Sequence, residues 1–433
     1  MCGLIAAIDP IIPVAELIDD LAPRGLPGYV STRVWDYGYQ LGHYSLPFVN
    51  LDKAKAVQPR MDLTGDCLFV GEIFNYADFG YESDIELMSA EHFNLDLLHK
   101  MDGFWSFVKI QEDTIFAMVD YLSQKPLYYR TDCEAVASEI DVLKRLGPNT
   151  VNETFISNTI KWGYSPTPET PYNEIRQIPP GHYLFEGFVT PYWDWSLVAD
   201  VPLVDALKNS VRNRMGGQQD ISILLSGGLD SAIVYGLVKE LGYDITAIHV
   251  DNGEEDFAKL VCDNLVEVSL NDVSDIDAIR IHQSPVDLGS VKPQIAMARK
   301  LKELGFHAVL TGDGADELFG GYTRALTYDS QHSDTFCELP YYHNPKLDRT
   351  MMQSTIELRT PFLAATVVKY ALGLPYERRN GIKHELKEHF AYMIPQAILD
   401  RDKHPLKTKE IRLNPMAQRI NNVKLWREIN GYN

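Results

Sequence analysis

Ile221-Ser222-Ile223-Leu224-Leu225-Ser226-Gly227-Gly228-Leu229-Asp230-Ser231 is the stretch on which the fold turns. Ile221 to Leu225 is apolar apart from Ser222, which predicts a strand buried on both faces. Two glycines follow at once, and Asp230 to Leu241 then carries helical spacing that stops at Gly242. Glycine N–H groups, two hydroxyls and a helix N-terminus then converge, which makes a phosphate cradle. The rival reading is a plain strand-to-helix turn in which Ser and Asp only cap the helix. The complete run from Ser226 to Ser231 in a strand–turn–helix context favours the cradle. The lysine of GxxxxGK[ST] is missing and the spacing is not GxGxxG, so neither common nucleotide loop is present.

The surroundings agree. Val204 to Arg214 and Ile295 to Leu304 read as helices, and Ile245 to Val250 and His307 to Leu310 as strands. Strands alternating with helices predict a parallel sheet covered on both faces. After the last of these strands comes Thr311-Gly312-Asp313-Gly314-Ala315-Asp316-Glu317-Leu318-Phe319-Gly320-Gly321-Tyr322. Its carboxylates and glycines suit a tight loop at a strand's carboxyl end, where α/β sites lie and where Mg2+ can be held beside phosphates. An acidic surface turn is the plainer alternative. The first ~190 residues have another rhythm, of short strands and turns with few helices. Gly3 to Ile8, Asp66 to Val70, Ile115 to Val119 and His182 to Phe185 read as strands, and Ser83 to His92 and Asn94 to Met101 as helices. The change of rhythm falls between Tyr192 and Val201.

The 433 residues carry 40 Lys+Arg against 60 Asp+Glu, a net charge of −20 that argues against nucleic-acid or anionic-membrane partners. No stretch approaches the ~18 apolar residues of a membrane span, and the start of the chain meets Asp9-Pro10 too early for a signal peptide. Five scattered cysteines without CxxC spacing predict neither a disulfide framework nor a zinc site, and a reducing cytoplasm is expected. His282, His307 and His384 show no HxxxH spacing. Tyr192, Trp193 and Trp195 read as filling of the domain junction, and the role of Arg401, Lys403, Lys407 and Lys409 stays open between a solvated face and phosphate contacts.

Cys2 would become the first residue after removal of Met1, and its own α-amine could then serve as base. Met1-Cys2-Gly3-Leu4, the Ser226–Ser231 run and the Thr311–Tyr322 run together resemble the glutamine-dependent asparagine synthetase family. Gly71-Glu72-Ile73-Phe74-Asn75, Ser83-Asp84-Ile85-Glu86, Pro126-Leu127-Tyr128-Tyr129, Ser138-Glu139, Pro179-Pro180-Gly181-His182, Glu357-Leu358-Arg359-Thr360-Pro361-Phe362-Leu363 and Lys383 with Leu386-Lys387 match further family pieces in order. The resemblance implies an α+β N-terminal-nucleophile αββα sandwich, residues 1–195, as glutaminase, followed by an α/β parallel-sheet ATP-pyrophosphatase domain, residues 196–433. It implies Cys2 as nucleophile, Gly71, Glu72 and Asp84 as glutamine-binding, and Leu225, Ser226, Gly227, Gly228, Asp230, Ser231, Val250, Thr311 and Gly312 as ATP-binding. Asp230 and Asp316 would approach Mg2+, and Asp313 with Lys383 would support the adenylate chemistry. The substrates would be aspartate, glutamine and ATP, with a homodimer left open.

Several positions depart from the family. Its glutamine-binding arginine is Ser45 here, its oxyanion-hole asparagine is Val70, and its second-loop glutamate is Asp313. Serine cannot make the bidentate pair with a carboxylate, and one lost oxyanion donor typically costs ~10²–10³ in rate. Either glutamine binds a rearranged pocket with Arg24 or Arg33 as carboxylate partner, or the first domain is a weak glutaminase and free ammonia is the donor. Ala364, where the family has aspartate after Pro-Phe-Leu, leaves another acceptor, as in β-lactam synthetases, as the alternative.

Overall fold

The computed structural model describes residues 2–34, 38–46, 58–62, 65–90, 95–111, 114–216, 221–250, 255–322, 335–379, 382–401 and 414–432. The N-terminal part is a sandwich of two six-stranded antiparallel sheets. One runs Ile175–Gln177, Tyr128–Arg130, Ala135–Ala137, Gly3–Ile8, Tyr39–Tyr44, Val30–Val34 in spatial order. The other runs Phe188–Pro191, His182–Phe185, Thr114–Val119, Gly103–Gln111, Gly65–Ile73, Arg60–Asp62. Alternation sets the layers. Leu4 and Ala6 face Leu68, Val70, Val108 and Ala117 of the opposite sheet, while Ile5 and Ala7 turn outward onto Val14, Leu17 and Leu143 of covering helices. This is the αββα arrangement expected.

The C-terminal part is built on a five-stranded parallel sheet in the order Leu265–Val268, Thr246–Val250, Ile221–Leu224, Ala308–Leu310, Glu357–Arg359. Its central strand, Ile221–Leu224, leads into helix Leu229–Glu240, whose apolar side joins Ile223 and Leu225 in the core. Two strands of this sheet, Leu265–Val268 and Glu357–Arg359, were not expected from the sequence. Helix Leu288–Glu303 also starts well before the expected Ile295 and carries Pro293 within it. Asp287 caps its first turn through Gly289 N at 3.2 Å, and the carbonyl that the proline ring would crowd belongs to Gly289. The expected helix from Asn94 to Met101 shrinks to the single turn Leu95–Leu98, with Asn94 outside the described residues.

The two parts meet over a broad seam. On the first part's side Trp193 stacks on Tyr121 at 4.5 Å; across the seam Trp195 meets Phe336 edge-on and the Tyr121 hydroxyl donates to the Leu363 carbonyl. The C-terminal helix Pro415–Asn430 buries Trp426 against Tyr172 of the first part. Buried charge also crosses the seam. Arg24 pairs with Glu139 and Asp348, Lys125 with Asp348, and Arg359 with Glu72 and Glu357. No helix among the described residues is long and apolar enough to cross a membrane.

Candidate active sites

The first site forms at the start of strand Gly3–Ile8. Its pairing sets Gly3 opposite Tyr44 and Leu4 opposite His43, which brings the half-buried Cys2 beside Ser45. Cys2 Sγ lies 3.8 Å from Ser45 Oγ and accepts a hydrogen bond from Leu46 N at 3.5 Å. Burial raises the thiol pKa, but the charge of His43 and the Leu46 N–H outweigh it and bring it down to about 6. Both ring nitrogens of buried His43 lack a hydrogen-bond partner. Gly71 and Glu72 lie near the end of strand Gly65–Ile73, opposite Trp105 and Phe104. Asp84 opens helix Asp84–Ser89, and its Oδ1 accepts from Ile85 N at 2.7 Å. Burial raises Asp84 to about 7, with the nearby Cys2 adding to the rise.

One expectation fails here. Arg24 cannot serve as a glutamine carboxylate partner, because its guanidinium is buried between Glu139 and Asp348. Arg33 is held by Asp66 at 2.8 Å. Both cations satisfy carboxylates of the chain itself, one of them 324 residues away. Val70 packs in the inter-sheet core and offers no side-chain donor.

The second site opens at the carboxyl ends of the parallel strands, where Leu225, Ser226, Asp230, Ser231, Val250, Thr311, Gly312, Asp313 and Asp316 line a cleft of about 320 Å³. The Ser226–Ser231 turn is tied by its own hydroxyls. Ser226 N donates to Ser231 Oγ at 3.2 Å, and Gly228 N to Ser226 Oγ at 3.3 Å. Gly227 and Gly228 make the turn itself and do not line the cleft. The Gly227 carbonyl accepts from Arg401 Nη1 at 3.0 Å, so Arg401 braces the loop, while Lys403, Lys407 and Lys409 lie outside the described residues.

The second loop closes onto the first. A Cβ at Gly312 would sit 2.7 Å from Asp230 Cβ and 2.9 Å from Ser231 N, so only glycine allows this approach. Lys383 joins the two motifs, with its Nζ 2.5 Å from Asp230 Oδ2 and 2.5 Å from Asp316 Oδ1. Burial works against its charge, but the two carboxylates win and hold the ammonium well above the ordinary lysine range. Burial raises the Asp313 carboxyl, against a hydrogen bond with Thr311. The cleft also takes Gln294 and Met297 from helix Leu288–Glu303, with Gln294 Oε1 buried and unpartnered, and His343 and Met351 from the far wall. Sequence reasoning missed Gln294 because that helix was expected to begin after it.

A small cavity lies between the sites, lined by Phe104, Gln124, Lys125, Asn344, Leu347, Asp348, Leu358 and Thr360. Leu347 borders the cleft of the second site as well. Phe104 clusters with Leu46 and Met352, and Leu46 touches Cys2.

Comparison with known proteins finds a matching family model for each part. Residues 1–191 match the glutamine amidotransferase domain model, and residues 203–340 and 327–424, together just over half of the chain, match the asparagine synthase model. A probable glutamine-hydrolysing asparagine synthetase of Acanthamoeba polyphaga mimivirus is 24% identical, covering 97% of this chain and 88% of that protein. Asparagine synthetase 1 of Arabidopsis thaliana is 26% identical over 88% of this chain and 71% of its own length. Asparagine synthetase B of Escherichia coli K12 is 25% identical over 84% of this chain and 73% of its own. A sandwich carrying Cys2 at its lip, a parallel sheet with two facing loops and a family model spanning half the sequence lead to one conclusion: the chain belongs to the asparagine synthase family and carries an N-terminal glutamine amidotransferase domain.

Proposed function

We propose that the protein is a glutamine-hydrolysing asparagine synthetase, which activates aspartate as β-aspartyl-AMP and releases AMP and pyrophosphate. The observation that carries this reading is the meeting of the Ser226–Ser231 and Thr311–Asp316 loops at one cleft, joined through Lys383. The chemistry requires it. A carboxylate does not exchange oxygen for nitrogen, because oxide is a hopeless leaving group, whereas AMP is a good one. Backbone N–H groups of the first loop and the N-terminus of helix Leu229–Glu240 hold the departing pyrophosphate. Leu225 and Val250 flank the adenine, and Thr311 and Gly312 line the nucleotide. Lys383 offsets the charge that develops at the α-phosphate, and Asp313 takes a proton during attack by ammonia.

Asp230 and Asp316 fit Mg2+ by their chemistry, as two carboxylates beside a phosphate loop. The described residues hold no group of three or more metal-ligating side chains, so the remaining ligands would be phosphate oxygens and water. Bound there, the ion would neutralise phosphate charge.

In the first domain, Cys2 attacks the glutamine side-chain amide, Asp84 holds the substrate ammonium beside Glu72, whose Oε2 is paired with Arg359, and Gly71 supplies a backbone donor. Ammonia released there reaches the adenylate past Leu46 and Phe104 and through the small buried cavity that Phe104 and Leu347 border, a route enclosed by protein that limits the access of bulk water. A second reading, ammonia as the working donor, draws on Ser45, Val70 and the engagement of Arg24 and Arg33 elsewhere.

Pyrophosphate release with ATP, Mg2+ and aspartate, measured with glutamine or ammonium for wild type and Cys2→Ala, tests both readings. Under the first, Cys2→Ala abolishes only the glutamine-driven rate. A glutamine-driven rate unchanged in Cys2→Ala removes the nucleophile assignment, and no pyrophosphate with either donor removes aspartate as acceptor.

A further inference from the structure

We propose that a pocket on the seam between the two halves, next to Lys346 and Arg349, binds a phosphate group. The inference starts from a charge imbalance. Arg24, Lys125, Lys346 and Arg349 are 2%, 3%, 7% and 4% exposed, and the only carboxylates ion-paired with any of them among the described residues are those of Glu139 and Asp348, both 3% exposed. Asp348 is spent on Arg24 and Lys125. Glu139 gives one oxygen to Arg24 and the other to Gln283 Nε2 at 2.9 Å, with Arg349 Nε 3.7 Å away. Lys346 has the Tyr342 ring 4.4 Å from its Nζ and acts at longer range on buried Asp313, but no carboxylate among the described residues forms an ion pair with it. Four buried cations share two ion-paired carboxylates, with Asp313 the further carboxylate that feels Lys346, and such a positive excess is costly unless an anion completes it.

The residues that carry unsatisfied donors border one cavity. Arg349 Nη1 is used by the His282 carbonyl, but Arg349 Nε and Nη2 are shut from water and have no hydrogen-bond acceptor. The Thr159 hydroxyl is likewise buried without a partner. Thr159, Lys346 and Arg349 line the same pocket, of about 70 Å³. At ~10–15 Å³ for each water-sized group, that is room for roughly five heavy atoms, the content of one tetrahedral oxyanion. Glu169 also lines it, but its Oε2 already takes Arg176 and Asn152, so it does not repel an anion as a free carboxylate would. His282, on the same wall, is held neutral first by burial and then by the positive field of Arg349 and Lys346. The half-buried Tyr164 and Tyr342 leave an entry from solvent. An occupant would bridge Thr159 of the first half and Lys346 of the second, and so brace the seam.

Selenate, a tetrahedral dianion of phosphate size, locates the site when soaked into crystals of the full chain. The expected result is an anomalous peak between Lys346 and Arg349. Calorimetric titration with inorganic phosphate should show that Lys346→Met weakens binding at this site by about tenfold or more, since one charge-assisted partner is lost. Thr159→Val should weaken it less and serves if Lys346→Met disturbs folding, which melting curves report. Glycerol 3-phosphate is the comparison ligand. Tighter binding than free phosphate assigns a phosphate ester, and equal or weaker binding assigns the free ion. No selenate peak in this pocket, or equal phosphate affinity in wild type and both variants (an adventitious ion only), overturns the proposal.

Discussion

Replacing Arg359 with methionine should destabilise the protein by leaving two carboxylates stranded across the seam. The guanidinium is buried, reaching Glu72 Oε2 at 2.6 Å, Glu357 Oε1 at 2.6 Å and the Arg214 carbonyl. Methionine fills much of the volume but supplies no charge. Breaking a buried ion pair from one side costs about 3–5 kcal/mol, a large part of the ~5–15 kcal/mol by which domains are stable. At ~2–4 °C per kcal/mol for a unit of ~200 residues, Tm should fall by about 6–20 °C. The control is the triple variant Arg359→Met, Glu72→Gln, Glu357→Gln, which removes the stranded charges and should recover most of the loss. The pH dependence has a definite sign. Burial already holds the Glu72 carboxyl well above its usual range, and Arg359 opposes that rise. Without Arg359 the folded pKa climbs further above the unfolded value. The penalty is then small below the unfolded carboxylate pKa and grows as pH rises toward the folded one. Thermal melts at about pH 5 and about pH 8 should show the larger deficit at the higher pH for Arg359→Met, and a deficit that does not grow with pH for the triple variant, which lacks the raised carboxyl. Equal losses in the single and triple variants at both pH values would refute the electrostatic account.

Glutamine hydrolysis should fall in two steps on acidification. Asp84 protonates below about 7, which raises KM for glutamine, and the Cys2 thiolate is lost below about 6, which lowers kcat. Asp84→Asn should raise KM and flatten its pH dependence, so a KM that still climbs on acidification in that variant counts against the assignment. Gly312→Ala should cut pyrophosphate release with either donor by about a hundredfold, since the new Cβ lies 2.7 Å from Asp230 Cβ and must push the two loops apart. Glutaminase activity should survive that change, and parallel loss of both activities would point to misfolding instead.

What could be read from the sequence was local. The strand before Ser226, the glycine turn and the following helix announce themselves within some twenty residues, because burial on both faces and a helix start are short-range patterns. The strand Glu357–Arg359 could not be read this way. Two of its three residues are charged, yet all three are buried, because Arg359 is neutralised by its neighbour Glu357 and by Glu72, 287 positions earlier. Arg24 misled for the same reason. A cation beside the nucleophile segment invites a substrate role, and nothing local says that Asp348 will claim it. The edge strand Leu265–Val268 escaped notice because Val266 and Glu267 are exposed, so its apolar pattern is incomplete.

Lys383 shows how the synthetase motifs depend on one another. Ile382 and Lys383 both have positive φ, 52° and 58°, although neither is glycine, and such conformations cost of order 1–3 kcal/mol each. They persist because the surroundings determine them twice over. Lys383 N donates to the Phe319 carbonyl at 2.9 Å, and its ammonium lies between Asp230 and Asp316. The approach needs Gly321, where a Cβ would sit 2.7 Å from Lys383 Cε. The strained lysine, the helix-opening aspartate of the first loop and the glycine-rich second loop therefore hold one another in place. A change in any one of the three displaces the other two, which is why the site has to be understood as a single ammonium shared by three distant segments.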